Sequence, residues 1–233
     1  MKTIGLIGGM SWESSIEYYR IINETAKEKL GGLHSAKSLM VTVDFADIEK
    51  LQHEGRWDEA GQILVKCAQD LERGGADFIV LCTNTMHKLA DQIIANVNIP
   101  FLHIADATAE KIVAAGIKRI GLLGTRFTME HDFYKGRLIE NFGLDVLVPN
   151  EADREIVHRV IYDELVQGKI VDISRNKYKR IMESLIEQGA EGIILGCTEI
   201  ELLIKDNDSN KPLFPTTKIH AIAAVEQALK EKA

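Results

Sequence analysis

Two thiols in this 233-residue chain stand at the ends of closely similar apolar runs. One run is Ala76-Asp77-Phe78-Ile79-Val80-Leu81-Cys82-Thr83, and the other is Ala190-Glu191-Gly192-Ile193-Ile194-Leu195-Gly196-Cys197-Thr198. Thiols delivered by equivalent strands of a duplicated fold can face each other across one pocket. Such a pair can remove a proton from one side of a carbon and return it on the other. A free cysteine has a pKa of about 8.5, and a helix N-terminus just beyond the strand lowers it toward a useful thiolate fraction. The residues therefore predict racemisation or epimerisation, with Cys82 and Cys197 as acid and base. An isolated buried cysteine is more often a small hydrophobe. Cys67 fits that description, since it shares a helical apolar stripe with Ile63, Leu64 and Leu71.

The elements that would carry the thiols follow from the alternation of short apolar runs with longer amphipathic segments, the pattern of a parallel sheet covered by helices on both faces. Strands are predicted over 3–8, 39–44, 77–81, 101–104, 119–123, 145–148, 192–195 and 213–214. Helices are predicted to begin near Ser14, Asp58, Met86, Asp106, Thr128, Glu151, Ile173 and Lys218, and Ser14 with Glu17 has the form of a capping box. Gly5-Leu6-Ile7-Gly8-Gly9 returns as Gly121-Leu122-Leu123-Gly124-Thr125, and the cysteines follow the first glycines by 77 and 76 residues. An offset of half a chain is too long for a solenoid period. The fold class expected is α/β, with two pseudo-symmetric lobes, each a mostly parallel sheet flanked by helices, and the site in the interlobe cleft. The lobes are expected over 1–105, carrying Cys82, and 106–215, carrying Cys197, with the terminal helix 216–233 folding back on the first lobe.

Around the thiols lie groups suited to an amino acid's carboxylate and ammonium: Met10 and Ser11 in the glycine turn after the first strand, Thr83, Asn84 and Thr85 after the first cysteine, and Thr125 and Thr198 in the second half. Each hydroxyl or amide is also a competent cap or turn residue. His87 could orient a group in the cleft or serve as a capping or surface histidine. The turn lacks the GxGxxG order of a dinucleotide fingerprint, and neither a Walker loop nor a GxSxG elbow occurs. Without HExxH, CxxC or paired histidine spacing, no metal site and no cofactor is expected.

Composition narrows the partners. The chain is 45% hydrophobic and 27% charged, enough for a buried core, and its net charge of −7 argues against nucleic acid and anionic membrane as partners. No apolar run approaches the length of about 18 residues that a membrane helix needs. Met1 to Ile7 reads as a buried strand rather than a leader, because Gly8-Gly9, Trp12 and Glu13 interrupt the apolar run. Three cysteines cannot make a fully paired framework and read as thiols in a reducing compartment, with cytoplasm as the default.

At these residues the chain resembles the aspartate/glutamate racemase family, including its bacterial broad-specificity amino-acid racemases. The resemblance runs through 8–14 (Gly-Gly-Met-Ser-Trp-Glu-Ser), 81–88 (Leu-Cys-Thr-Asn-Thr-Met-His-Lys), 103–108 (His-Ile-Ala-Asp-Ala-Thr), 123–126 (Leu-Gly-Thr-Arg) and 196–200 (Gly-Cys-Thr-Glu-Ile). It implies two pseudo-symmetric α/β domains, no pyridoxal phosphate, no metal and a homodimer acting on a small amino acid. It also implies Cys82 and Cys197 as the proton-transferring pair, with Asn84, Thr85, Thr125 and Thr198 on the head group. Members strict for aspartate resemble one another in a basic residue after an Ile-Tyr pair, whereas here Ile161-Tyr162 is followed by Asp163-Glu164-Leu165-Val166-Gln167. Arg126, Lys88 or Arg56 would have to compensate, or the pocket would accept neutral side chains.

Two other readings carry different expectations. A one-cysteine decarboxylase or cis/trans isomerase of small dicarboxylates predicts that a single thiol matters. A two-lobed solute-binding protein predicts binding without turnover.

Overall fold

The computed structural model describes residues 1–230 and divides the chain into two compact units, one formed by Met1–His103 with the segment starting at His220, the other by Ile104–Ile219. Each unit holds one four-stranded parallel sheet with the same order of strands.

In the first unit the order is β2 (Ser38–Thr42), β1 (Ile4–Gly8), β3 (Phe78–Leu81), β4 (Phe101–Leu102), with every pairing parallel. A central parallel strand is covered on both faces and so reads as an unbroken apolar run; β1 and β3 are buried throughout. Helices α2 (Phe45–His53) and α3 (Trp57–Arg73) cover one face, where Ile48, Leu51, Leu64, Ala68 and Leu71 pack with Ile7, Ile79 and Leu81. The opposite face carries Leu6, Phe78, Val80 and Cys82 against Tyr18 and Ile22 of α1 (Trp12–Leu30) and against Ala221, Ala224 and Val225 of the C-terminal helix, Thr216–Leu229. A 3-10 turn, Thr85–Leu89, leads into α4 (Ala90–Ile94).

In the second unit the order is β6 (Asp145–Leu147), β5 (Arg119–Gly124), β7 (Ile193–Gly196), β8 (Leu213–Pro215), again all parallel. The helices are α5 (Ile104–Ala114), α6 (Arg126–Glu130), α7 (Asp132–Phe142), α8 (Glu151–Asp163), α9 (Asp172–Glu187) and the single turn α10 (Ile200–Leu203), and the C-terminal helix is α11. Leu123, Ile193, Leu195 and Cys197 form one core with Val157 and Ile161 of α8 and Tyr178, Ile181 and Leu185 of α9.

The two-sheet α/β architecture agrees with the sequence expectation, and each of the eight expected strands is present. Two local expectations are corrected. The first helix starts two residues before Ser14 and is capped by Ser11, whose Oγ accepts from the Ser14 amide, so Ser14 and Glu17 form no capping box. The second strand stops at Thr42 because Asp44 caps α2 through its carboxylate, which accepts from the Ala46 amide; that helix was not anticipated. The tail of the expected terminal helix at 231–233 lies outside the described residues.

Candidate active site

In open parallel sheets ligands gather at the carboxyl ends of the strands. At that end of the first sheet the β1 turn, Gly8 to Ser11, neighbours the β3 loop, Cys82 to Thr85. In the second sheet, Thr125 after β5 neighbours Cys197 and Thr198 after β7. The residues singled out from sequence thus form two groups, one per unit.

The strand registers show which residues are equivalent. Gly5 of β1 pairs with Ile79 and Ile7 with Leu81, while Gly121 of β5 pairs with Ile193 and Leu123 with Leu195. Leu81 therefore corresponds to Leu195, Cys82 to Gly196, and Thr83 to Cys197. Neighbouring bonds agree. The Asp77 amide donates to the Thr3 carbonyl at 2.8 Å, and the Glu191 amide to the Arg119 carbonyl at 2.9 Å. The Asp77 and Glu191 carboxylates each accept from backbone amides at the start of the partner strand.

The cysteine-to-cysteine equivalence expected from sequence is consequently off by one residue, and in a strand one residue reverses the face. Cys197 shares its core with Ile193 and Leu195, whose counterparts Ile79 and Leu81 lie on the α2/α3 face. Cys82 instead packs with Phe78 and Val80 on the α1/α11 face. Its side chain is 0% exposed, and its Sγ lies 3.9 Å from the Val80 carbonyl. In the second unit the same position must be glycine: a Cβ on Gly196 would come within 2.7 Å of the Leu123 carbonyl.

The expectation that these strand ends favour thiolates is also overturned. Burial alone pushes the Cys82 thiol far up. Cys197 is raised well above the ordinary thiol value, first by burial and then by the neighbouring Glu199 carboxylate; the Glu199 and Ile200 amides pull the other way and lose. The elements that follow the cysteines are a 3-10 turn and a single helical turn, too short to present a strong dipole. Cys67, also raised by burial, sits in the α3 core as expected.

Cys197, 7% exposed, donates to Glu199 Oε2 at 3.0 Å, and the Thr198 hydroxyl donates to the same oxygen at 2.6 Å. In the first unit Thr83, Asn84 and Thr85 are buried, and His87 Nδ1 donates to the Thr83 carbonyl at 2.7 Å. His87 is thus a buried tether of the loop and not a surface residue; its ring stands edge-on to His103, Phe101 and His220. Ser11 is spent on the α1 cap, and Met10 is buried in the α2/α3 core. Gly9, at φ +94°, is required because a Cβ there would run into the Val43 carbonyl, and its amide donates to Ser15 Oγ at 2.8 Å. Thr125 caps α6 and accepts from the Thr128 amide.

Of the bases that could hold a distal carboxylate, Arg56 is paired with Glu54 and Glu59, and Arg126 with Glu155. Lys88 lies 4.1 Å from the Trp57 ring centroid, and burial lowers its pKa. Glu199 and Gln52 are buried polar residues that the sequence reading did not single out. Glu199 was legible as a carboxylate two residues from a cysteine, whereas Gln52 sits on the unanticipated α2, where it donates to Met86 Sδ at 2.8 Å. Among the described residues no helix is long and apolar enough to cross a membrane.

Residues 7–224 match the sequence profile of the family described as Asp/Glu/Hydantoin racemase. The broad specificity amino-acid racemase RacX of Bacillus subtilis is 26% identical over 179 residues, 74% of each chain. A crystal structure from Yersinia pestis, assigned provisionally as an Asp/Glu racemase, is 55% identical and superposes with a TM-score of 0.92, covering 99% of this chain and 100% of that one. An aspartate racemase homologue from Pyrococcus horikoshii is 36% identical with a TM-score of 0.84, over 98% and 99% of the two chains.

Proposed function

From the premise that this chain belongs to the Asp/Glu/hydantoin racemase family, we propose that it interconverts L- and D-amino acids by proton transfer at Cα, without pyridoxal phosphate or metal. The substrates proposed are aspartate and glutamate, with neutral amino acids as further candidates. The observation that carries the reading is Cys197, a thiol at the carboxyl end of a central strand whose proton is directed at a buried carboxylate.

Inversion needs a proton to leave one face of Cα and another to arrive on the opposite face. We assign Cys197 as the acid and base of the second unit. For the first unit the register supports Thr83 in place of Cys82, because Thr83 occupies the Cys197-equivalent position whereas Cys82 faces the α1/α11 core. A hydroxyl is a weak acid and needs help to give up its proton; Thr83 hands its proton to the Cα carbanion, water replaces that proton as product leaves, and the opposite direction runs through the same steps in reverse. Asn84, Thr85, Thr125 and Thr198 are the proposed donors to the substrate carboxylate, where stabilising the developing negative charge is usually the largest contribution.

Incubating single enantiomers of aspartate, glutamate and several neutral amino acids with protein freed of pyridoxal phosphate and treated with chelator should show decay of optical rotation to zero. No decay with any substrate contradicts the proposal. The register also removes the matched second cysteine that spoke against a one-cysteine decarboxylase, so carbon dioxide release should be followed in the same reactions; its appearance in place of racemisation favours that alternative.

A homodimer is part of the proposal. Trp12, Ile16 and Tyr19 stand exposed at helical spacing on one side of α1, an apolar stripe that a second copy would cover. Sedimentation velocity at micromolar concentration should give twice the 26.0 kDa chain mass, and a monomer rejects it.

A further inference from the structure

Three of the chain's seven histidines meet beside the loop that carries Thr83. His87, His103 and His220 are 2%, 5% and 0% exposed, and all three belong to the first unit. The His87 ring centroid lies 4.5 Å from that of His103, 5.5 Å from that of Phe101 and 5.9 Å from that of His220, edge-on in each case. The proton transfer proposed above uses none of these rings.

The hydrogen bonds fix how the rings are oriented. A carbonyl oxygen only accepts, so the 2.7 Å bond between His87 and the Thr83 carbonyl puts a hydrogen on Nδ1 of His87. Likewise His220 carries a hydrogen on Nε2, which donates to the Leu102 carbonyl at 3.0 Å, while its Nδ1 meets the Tyr18 hydroxyl at 2.8 Å. His220 is thereby pinned to the end of β4 and to α1, and the His87 ring packs against it. On the other side of Thr83, its amide donates to the Leu81 carbonyl at 2.9 Å. With amide and carbonyl both held, the Cα–Cβ bond of Thr83 has one direction.

We infer that His87 is a positioning residue that holds Thr83 in the orientation from which its hydroxyl delivers the proton of inversion, with His103 and His220 as the ring support that keeps His87 in place. The inference rests on the racemase reading, with Thr83 as a proton carrier, and deepens it.

The second unit uses a different tie. Thr83 corresponds to Cys197 in strand register, and four residues beyond Cys197 stands Glu201, whose Oε1 accepts from the Thr217 amide at 2.8 Å. The loop bearing Cys197 is therefore held by a carboxylate and not by a histidine. Loosening the His87 bond should disturb one proton carrier and spare the other, an asymmetry that a general loss of stability would not produce.

The test uses the full chain with His87→Phe and His87→Leu, which drop the donor and differ in bulk, and His87→Asn, which places an amide nitrogen where Nδ1 stood. With each enantiomer of aspartate and of glutamate in D₂O, inversion is followed by chiral chromatography and α-deuteration without inversion by proton NMR, beside a thermal melt. His87→Phe and His87→Leu should lower the kcat of inversion by about 10²-fold, the loss that a misplacement of about 1 Å brings. KM should change little, and the α-hydrogen of one enantiomer should still exchange with retention. His87→Asn should recover most of the inversion. Inversion and exchange that fall together in the folded variants overturn the inference, as does full inversion in His87→Phe or no recovery in His87→Asn. Amide hydrogen exchange of the segment 82–89, which needs no turnover, should quicken in His87→Phe and His87→Leu and stay slow in His87→Asn. Equal exchange in wild type and all three variants overturns the tether itself. A protein that racemises nothing yet shows the predicted amide pattern keeps the tether and loses the racemase reading, and with it the positioning role.

Discussion

Cys197→Ala is expected to lower the rate of amino-acid racemisation by about 10²- to 10⁴-fold, the range over which a positioned acid or base contributes. The site should otherwise survive. The substitution removes one sulfur from a core that also holds Leu123, Ile193, Leu195 and Tyr178, and such a small cavity costs about 1 kcal/mol, visible as a modest shift in melting temperature. KM should move little, because the proposed head-group donors remain. Steady-state kinetics by coupled or chiral assay, beside a thermal melt, separates a lost proton carrier from a lost fold. Activity within about tenfold of wild type in the folded variant contradicts the assignment.

The second large effect separates two adjacent residues. Thr83→Ala should abolish inversion, by about 10²-fold or more on the same scale, whereas Cys82→Ala should keep nearly full activity and lose only packing in the core shared with Tyr18, Ile22 and Ala224. In heavy water the Thr83→Ala protein should still exchange the α-hydrogen of one enantiomer with retention, since Cys197 can remove and return it from its own side. Thr83→Ser, which keeps the hydroxyl, should recover inversion. Because the equilibrium constant between enantiomers is one, kcat/KM must be equal in the two directions. The chemical inequality of a thiol and a hydroxyl should therefore appear in kcat and KM separately, both larger in the same direction by the same factor, so that their ratio is unchanged. If Cys82→Ala is the inactive variant and Thr83→Ala the active one, the register argument fails.

The strands were legible because buried parallel strands leave a continuous apolar signature, as in Ile4-Gly5-Leu6-Ile7 and Ile193-Ile194-Leu195, and the duplication was legible in the repeated glycine turns. The α2 helix was hidden because Asp44, its cap, also reads as the polar end of a strand; only the hydrogen bond to Ala46 distinguishes the two. The slip at the cysteines has a similar origin. Aligning Cys-Thr with Cys-Thr puts Gly196 in as an extra residue, whereas Ala76 to Leu81 aligns with Ala190 to Leu195 without a gap and carries Thr83 onto Cys197. Chemical identity outweighed strand length in the sequence reading, and the ladder of β1 with β3 and of β5 with β7 reverses that weighting. The thiolate expectation failed for an energetic reason: desolvation is set by the tertiary core around Cys82 and Cys197, which no local motif records.

The central claim, that Cα is inverted by exchangeable protein protons, is tested most directly by incubating wild-type protein with L-aspartate in D₂O and recording the Cα–H signal by proton NMR beside chiral chromatography. The account predicts that D-aspartate appears without added cofactor and that each newly inverted molecule carries deuterium at Cα. Inverted product that retains its original hydrogen, or L-aspartate and the other amino acids left unchanged in configuration and in hydrogen content, would contradict it.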